Sequence, residues 1–121
     1  MAEAKLDPIL DLNTLEQYCN AIGASTLLKS VVLFEQLLPE YLDNLIKANE
    51  SKDKDTLCSE AHKFKGAAGS VGLKRIQQTA QKLQHGEEPD WETDKEVWLN
   101  LILDHSANDL KKLKDYLESK A

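Results

Sequence analysis

Leu27, Leu28, Val31, Phe34, Leu38, Leu42, Leu45 and Ile46 hold the three- and four-residue spacing of one helical face through a stretch that contains Pro39. An apolar stripe of that length must be covered by other elements, so it constrains the chain to a fold in which a long helix lies against neighbours. Proline removes one amide and crowds the carbonyl of Glu35, yet the pattern resumes in phase beyond it, which predicts a kink rather than a break. Val31-Val32-Leu33-Phe34 is β-prone in isolation but sits inside the longer helical pattern and is overruled by it.

The remaining segments repeat the theme. Asn13-Thr14-Leu15-Glu16 reads as a capping box, with Asn13 accepting from the first turn and Glu16 reaching back, and the short helix it opens stops at Gly23. Ser25 is placed to cap the long helix, and Asp53 to cap the next one, which the glycines at 66, 69 and 72 weaken until it ends near Ser70. Leu73, Ile76, Ala80 and Leu83 mark a fourth amphipathic helix stopped at Gly86; an acidic loop from Gly86 to Thr93 contains Pro89. A final helix from about Asp94 to Ser119 uses Leu99, Ile102, Leu103, Leu110, Leu113 and Leu117. Residues 1–11 carry only a short cluster of Leu6, Ile9 and Leu10 broken by Pro8, and read as a loosely ordered lead-in. No strand is predicted. Such helices bury their stripes most simply as an all-α, antiparallel four-helix bundle, with the short first helix capping one end.

A chain of 121 residues is expected to form a single domain, residues 1–121. The longest apolar run, Val31 to Phe34, is far too short to cross a bilayer, and the acidic N-terminal residues are no secretion signal, which together predict a cytoplasmic protein. An initiating methionine ahead of one compact domain leans toward a free-standing protein. With 21 acidic against 15 basic residues the net charge is −6, and no basic cluster large enough to track a phosphate backbone occurs, so nucleic acid is not an expected partner. Cys19 and Cys58 lie far apart without a Cys-x-x-Cys spacing and read as reduced packing residues.

The chemistry concentrates in Ala61-His62-Lys63-Phe64-Lys65-Gly66, which runs into Ala67-Ala68-Gly69-Ser70-Val71-Gly72-Leu73. Helical geometry puts Leu57, Ala61, Phe64 and Ala68 on a face that must be buried. His62 falls off that face, on a stripe with Cys58, Lys65, Gly66 and Gly69, so its imidazole stands at the water boundary. A neutral imidazole is a competent nucleophile near pH 7, because its unperturbed pKa is about 6.5. Lys65 could balance the charge of an arriving phosphoryl group, and Gly66, with Gly69 on the same stripe, would leave room for another protein's surface. The glycines do not read as a nucleotide-binding loop, because such loops open a helix and these close one. His85, just before Gly86, can meet terminal carbonyls, and His105 has Asp109 one turn on as a plausible pair; neither belongs to a metal-ligand spacing. Gln77, Gln81 and Gln84 read as a polar boundary strip on the fourth helix.

His62-Lys63-Phe64-Lys65-Gly66 and its small-residue continuation resemble the signature of histidine-containing phosphotransfer (HPt) domains, His-x-x-Lys-Gly. With Leu-Pro-Glu-Tyr at positions 38 to 41 and the helical pattern on both sides, the chain from about Leu10 onward is similar to the phosphotransfer domain that ends anoxic redox-control hybrid sensor kinases. That resemblance implies a phosphorelay intermediate: His62 is phosphorylated, Lys65 stabilises the phosphoryl charge, and Gln84 orients the imidazole. It implies partners of two kinds, the receiver domain of a hybrid sensor histidine kinase and a response regulator. It implies no cofactor of the chain's own, Mg²⁺ residing on the receiver, no ATP-dependent kinase activity, and a monomer. A non-catalytic helical adaptor that binds receiver domains would share the bundle without needing an exposed His62 beside Lys65 and Gly66. A histidine-kinase dimerisation domain would need a two-helix hairpin and an ATP-binding domain, for which the chain has neither length nor motifs.

Overall fold

A computed structural model describes residues 6–121, and every regular element among them is a helix: α1 (Leu12–Ile22), α2 (Ala24–Glu50), α3 (Lys54–Ser70), α4 (Lys74–Gln84) and α5 (Trp91–Lys120). Packing runs in a closed ring, α2 on α3, α3 on α4, α4 on α5 and α5 back on α2, which is the predicted four-helix bundle. The stripe of α2 buries Leu27, Val31, Phe34, Leu38 and Leu45, and the helix runs through Pro39 without interruption. Phe34 and Tyr41 of α2 meet Phe64 of α3 with ring centroids 6.2 and 5.9 Å away. That cluster sets the rotation of α3 about its axis, and with it the direction in which His62 points.

Two starts follow one chemistry. Asp11 accepts from the backbone amide of Thr14 at 3.2 Å and from its hydroxyl at 2.8 Å, and Asp53 does the same with Thr56 at 3.2 and 2.7 Å. The cap at Asp53 is as expected; the one at Asp11 replaces the expected Asn13 box, because Asp11 with Thr14 supplies a complete cap two residues earlier. The long helix likewise begins before Ser25. Gly23, at φ +88°, turns the chain through 120° between α1 and α2 in a single residue, leaving Ser25 already inside the helix and no side-chain cap.

The lead-in reading fails for the part of it that is described. Ile9 and Leu10 are buried, the amide of Asp11 donates to Gly72, and the carbonyl of Ile9 accepts from the amide of Arg75. Apolar residues on either side of Pro8 thus dock on the α3–α4 turn, and α1 follows them across that end of the bundle. Residues 1–5 lie outside the described residues. Gly72 closes the turn at φ +79°, where Leu15 of α1 leaves no space for a Cβ; both reasons require glycine.

α5 begins at Trp91, three residues before the expected Asp94, and the acidic loop is shortened accordingly. Trp91 is seven and eleven residues ahead of Trp98 and Ile102, in phase with the helix, and it is 1% exposed. The expected His105–Asp109 pair does not form. Asp109 is fully buried, and Arg75 of α4 holds its carboxylate with two nitrogens, Nε at 3.1 Å and the terminal Nη2 on the other oxygen. An arginine fork outcompetes an imidazole for a buried carboxylate because it is always charged and matches both oxygens.

Candidate functional site

α3 presents two unlike faces. Leu57, Ala61, Phe64 and Ala68 are all 2% exposed or less, as helical spacing requires, and His62 stands exposed on the other side. The contact that organises the site crosses to α4. Gln84, the last residue of that helix and twenty-two positions past His62, brings its Oε1 to 3.3 Å from His62 Nδ1. An amide oxygen can only accept, so this contact is a hydrogen bond when Nδ1 carries the proton, which leaves the lone pair on Nε2. A solvent-edge imidazole with one ring nitrogen against a neighbouring amide is thus in place.

Lys65 is half-buried at the margin of this stripe, and among the described residues it makes no ion pair. Lys63, by contrast, points to Glu60 at 3.3 Å. Of the two lysines flanking Phe64, the free one is therefore the one whose charge remains available to an incoming anion.

The two glycines of the stripe differ. Gly66 is exposed, and a Cβ built on it would meet nothing within 4 Å, so no packing within the chain explains a glycine there. Gly69 faces inward to a neighbour: a Cβ would come within 2.5 Å of Gln77 Nε2. Its missing side chain makes room for the end of the α4 glutamine, a packing role that Gly66 does not share. The glutamine strip of α4 accordingly divides its labour, Gln77 over Gly69 and Gln84 on the imidazole.

Cys58, one turn before His62, is half-buried. Burial pushes its thiol up, against the opposing pulls of the Gly86 amide and the Lys54 ammonium, so it is protonated near neutral pH and does not rival His62 as a nucleophile. His85 pairs with Glu87 at 3.0 Å rather than with helix carbonyls.

Sequence reasoning missed Trp91. Its indole Nε1 donates to the carbonyl of Leu83 at 2.8 Å, immediately before Gln84. The available signal was its in-phase position, since a tryptophan buried at a helix start must find an acceptor for its N–H.

Comparison with known proteins identifies relatives of the whole bundle. Residues 29–119 match the profile of the Hpt domain. The chain is 33% identical over 114 residues, 94% of its length, to the aerobic respiration control sensor protein ArcB of Escherichia coli K12, and equally so to that of Shigella flexneri. It spans 15% of the length of those sensor proteins. The histidine-containing phosphotransfer domain of ArcB from Escherichia coli superposes with a TM-score of 0.93 at 32% identity, covering 97% of this chain and 99% of that one. The solution structure of the same domain gives 0.86 at 33% identity, over 95% and 92%. With a family profile spanning most of the bundle and a solved relative matching nearly end to end, the chain belongs to the Hpt domain family.

Proposed function

We propose that this protein is a phosphorelay intermediate of two-component signalling in which His62 is the phosphoryl carrier. The observation that supports the reading is the His62–Gln84 contact, which, with the proton on Nδ1, leaves the lone pair of an exposed imidazole on Nε2. In the accepting step Nε2 attacks the phosphorus of a receiver-domain aspartyl phosphate. The N–P bond forms as the P–O bond to the carboxylate breaks, and the aspartate leaves as its anion. The ring keeps the Nδ1 proton and becomes cationic, so its bond to Gln84 becomes charge-assisted and strengthens as the transfer proceeds. In the donating step an aspartate of the response regulator attacks the same phosphorus, and imidazole departs as a neutral leaving group.

Lys65 supports the phosphoryl charge in both directions: a unit pair at 4 Å is worth about 4 kcal/mol at an effective dielectric near 20, and less where solvated. The acidic pocket and Mg²⁺ that align the displacement are assigned to the receiver partner, and no ATP-dependent kinase activity to this chain. Exposed Gly66 supports this division of labour, since it opens the path to the ring without serving the chain's own packing. The protein is further proposed to be a single-domain, cytoplasmic monomer; no single helix among the described residues is long and apolar enough to cross a membrane.

The test is to incubate the protein with phosphorylated receiver domains and map the label. An acid-labile, comparatively base-stable phosphohistidine at position 62 is expected. Label on His85 or His105, or acceptance by His62→Gln, overturns the assignment.

A further inference from the structure

If His62 works through the tautomer that Gln84 selects, whatever places Gln84 enters the chemistry at one remove. α4 ends at Gln84, and the last carbonyls of a helix lack intrahelical amides to accept from. One of these, the carbonyl of Leu83, belongs to a residue with no exposed surface, and the indole of Trp91 supplies its donor at 2.8 Å. The Leu83 carbonyl and the Gln84 amide nitrogen lie in one rigid peptide plane. Holding that oxygen therefore holds the plane from which the Gln84 side chain departs toward His62.

The indole is itself fixed. Trp91 is 1% exposed, and the ammonium groups of Lys54 and Lys95 lie 4.9 and 5.0 Å from its ring centroid. Lys54 stands in the first turn of α3, the helix that carries His62, while Lys95 is on α5. The chain leaving Gln84 is also pressed onto α3, because a Cβ on Gly86 would come within 2.8 Å of Lys54 Cε and 2.9 Å of Cys58 Sγ. One tryptophan thus references the end of α4 to both neighbouring helices, at the residue next to the one that touches the imidazole.

We infer that Trp91 is a positioning residue for phosphoryl transfer: its N–H···O bond to Leu83 sets Gln84, and Gln84 keeps the proton of His62 on Nδ1. This deepens the function proposed above and rests on it for its meaning in catalysis, but the tautomer it predicts is measurable without any phosphoryl transfer.

The experiment is ¹⁵N NMR of the imidazole of His62, at a pH where the ring is neutral, in the wild type, Trp91→Phe, Gln84→Ala and the double variant. Phenylalanine keeps an apolar ring and loses the N–H. The wild type should hold the proton on Nδ1, and Trp91→Phe should move the ring toward the mixture of an unrestrained imidazole. Phosphoryl acceptance should fall with the lost competent fraction, about two- to threefold. In the Gln84→Ala background the tryptophan change should add no further shift. A Trp91→Phe protein with the wild-type tautomer, however much less stable, overturns the inference, as does an additional shift in the double variant. Should phenylalanine prevent folding, benzothienylalanine at position 91 keeps the shape of the indole without its N–H and is read by the same criteria. If the tautomer moves as expected but no label reaches His62, the proposed function fails and the positioning role stands.

Discussion

Gly66 lies one helical turn beyond His62 on the same exposed stripe, and beyond its own helix backbone and chain neighbours nothing lies within 4 Å of where its Cβ would stand. A glycine inside a helix is intrinsically unfavourable, and nothing in the chain offsets that at this position. Replacing Gly66 by leucine or glutamine should therefore leave the melting transition unharmed or stabilise the helix by about 0.5–1 kcal/mol. Transfer from phosphorylated receivers should fall sharply, while a small phosphodonor such as acetyl phosphate still labels His62. Intact receiver-dependent transfer in a stably folded variant would remove Gly66 from the docking surface.

Lys65 makes no ion pair among the described residues, so its truncation to alanine should cost the fold little. The expected change is kinetic: slower acceptance and a shorter phosphohistidine lifetime, read by loss of label over time. Wild-type rates and lifetime in Lys65→Ala would reduce it to a solvated charge. Lys63→Ala, which loses a pair between an exposed ammonium and the partly covered carboxylate of Glu60, is the matched control and should transfer normally.

Stability depends on a different pair. Arg75 grips the fully buried carboxylate of Asp109, and Arg75→Leu strands that carboxylate without its cation. A loss of about 3–5 kcal/mol is expected in urea denaturation. Arg75→Leu with Asp109→Leu should regain much of it, because an apolar pair leaves no unpaired charge. A single variant as stable as the wild type would contradict the burial seen here.

Asp53 gives a pH signature. Its carboxyl is held below the ordinary aspartate range by hydrogen bonds from the Thr56 hydroxyl and then the Thr56 amide. A depressed folded-state pKa contributes stability that is present above the unfolded value, about pH 4, and is lost as pH falls through the folded value. Asp53→Ala should therefore melt below the wild type at pH 6 and converge with it in acid. A gap that persisted at pH 2 would assign the effect to something other than the ionised cap.

The parts of this molecule that were legible beforehand are those written in local periodicity. Phe64 and Ala61 had to face inward because α3 has no other large apolar surface, and that alone turned His62 outward. Gln84 came from the family resemblance; spacing made it one of three similar glutamines, and only the end of α4 distinguishes it. What escaped were interactions between residues distant in sequence. Nothing near Asp109 announces Arg75, thirty-four positions away, and His105 one turn off looked the better partner. The start of α5 was missed because Trp91-Glu92-Thr93 follows Pro89 in a run of acidic residues, where loop composition masked an in-phase tryptophan. Gly69 looked like the twin of Gly66 by stripe position, and only the Gln77 side chain of another helix separates them.

His62 projects from a helix whose opposite side is sealed against the core by Phe64 and its aromatic neighbours. On the proposed function, a group carried there would stay outside the protein throughout its stay, and neither loading nor unloading would ask the aromatic cluster beneath it to open. On that function the carrier's turnover would then be governed by how often and how well two surfaces meet.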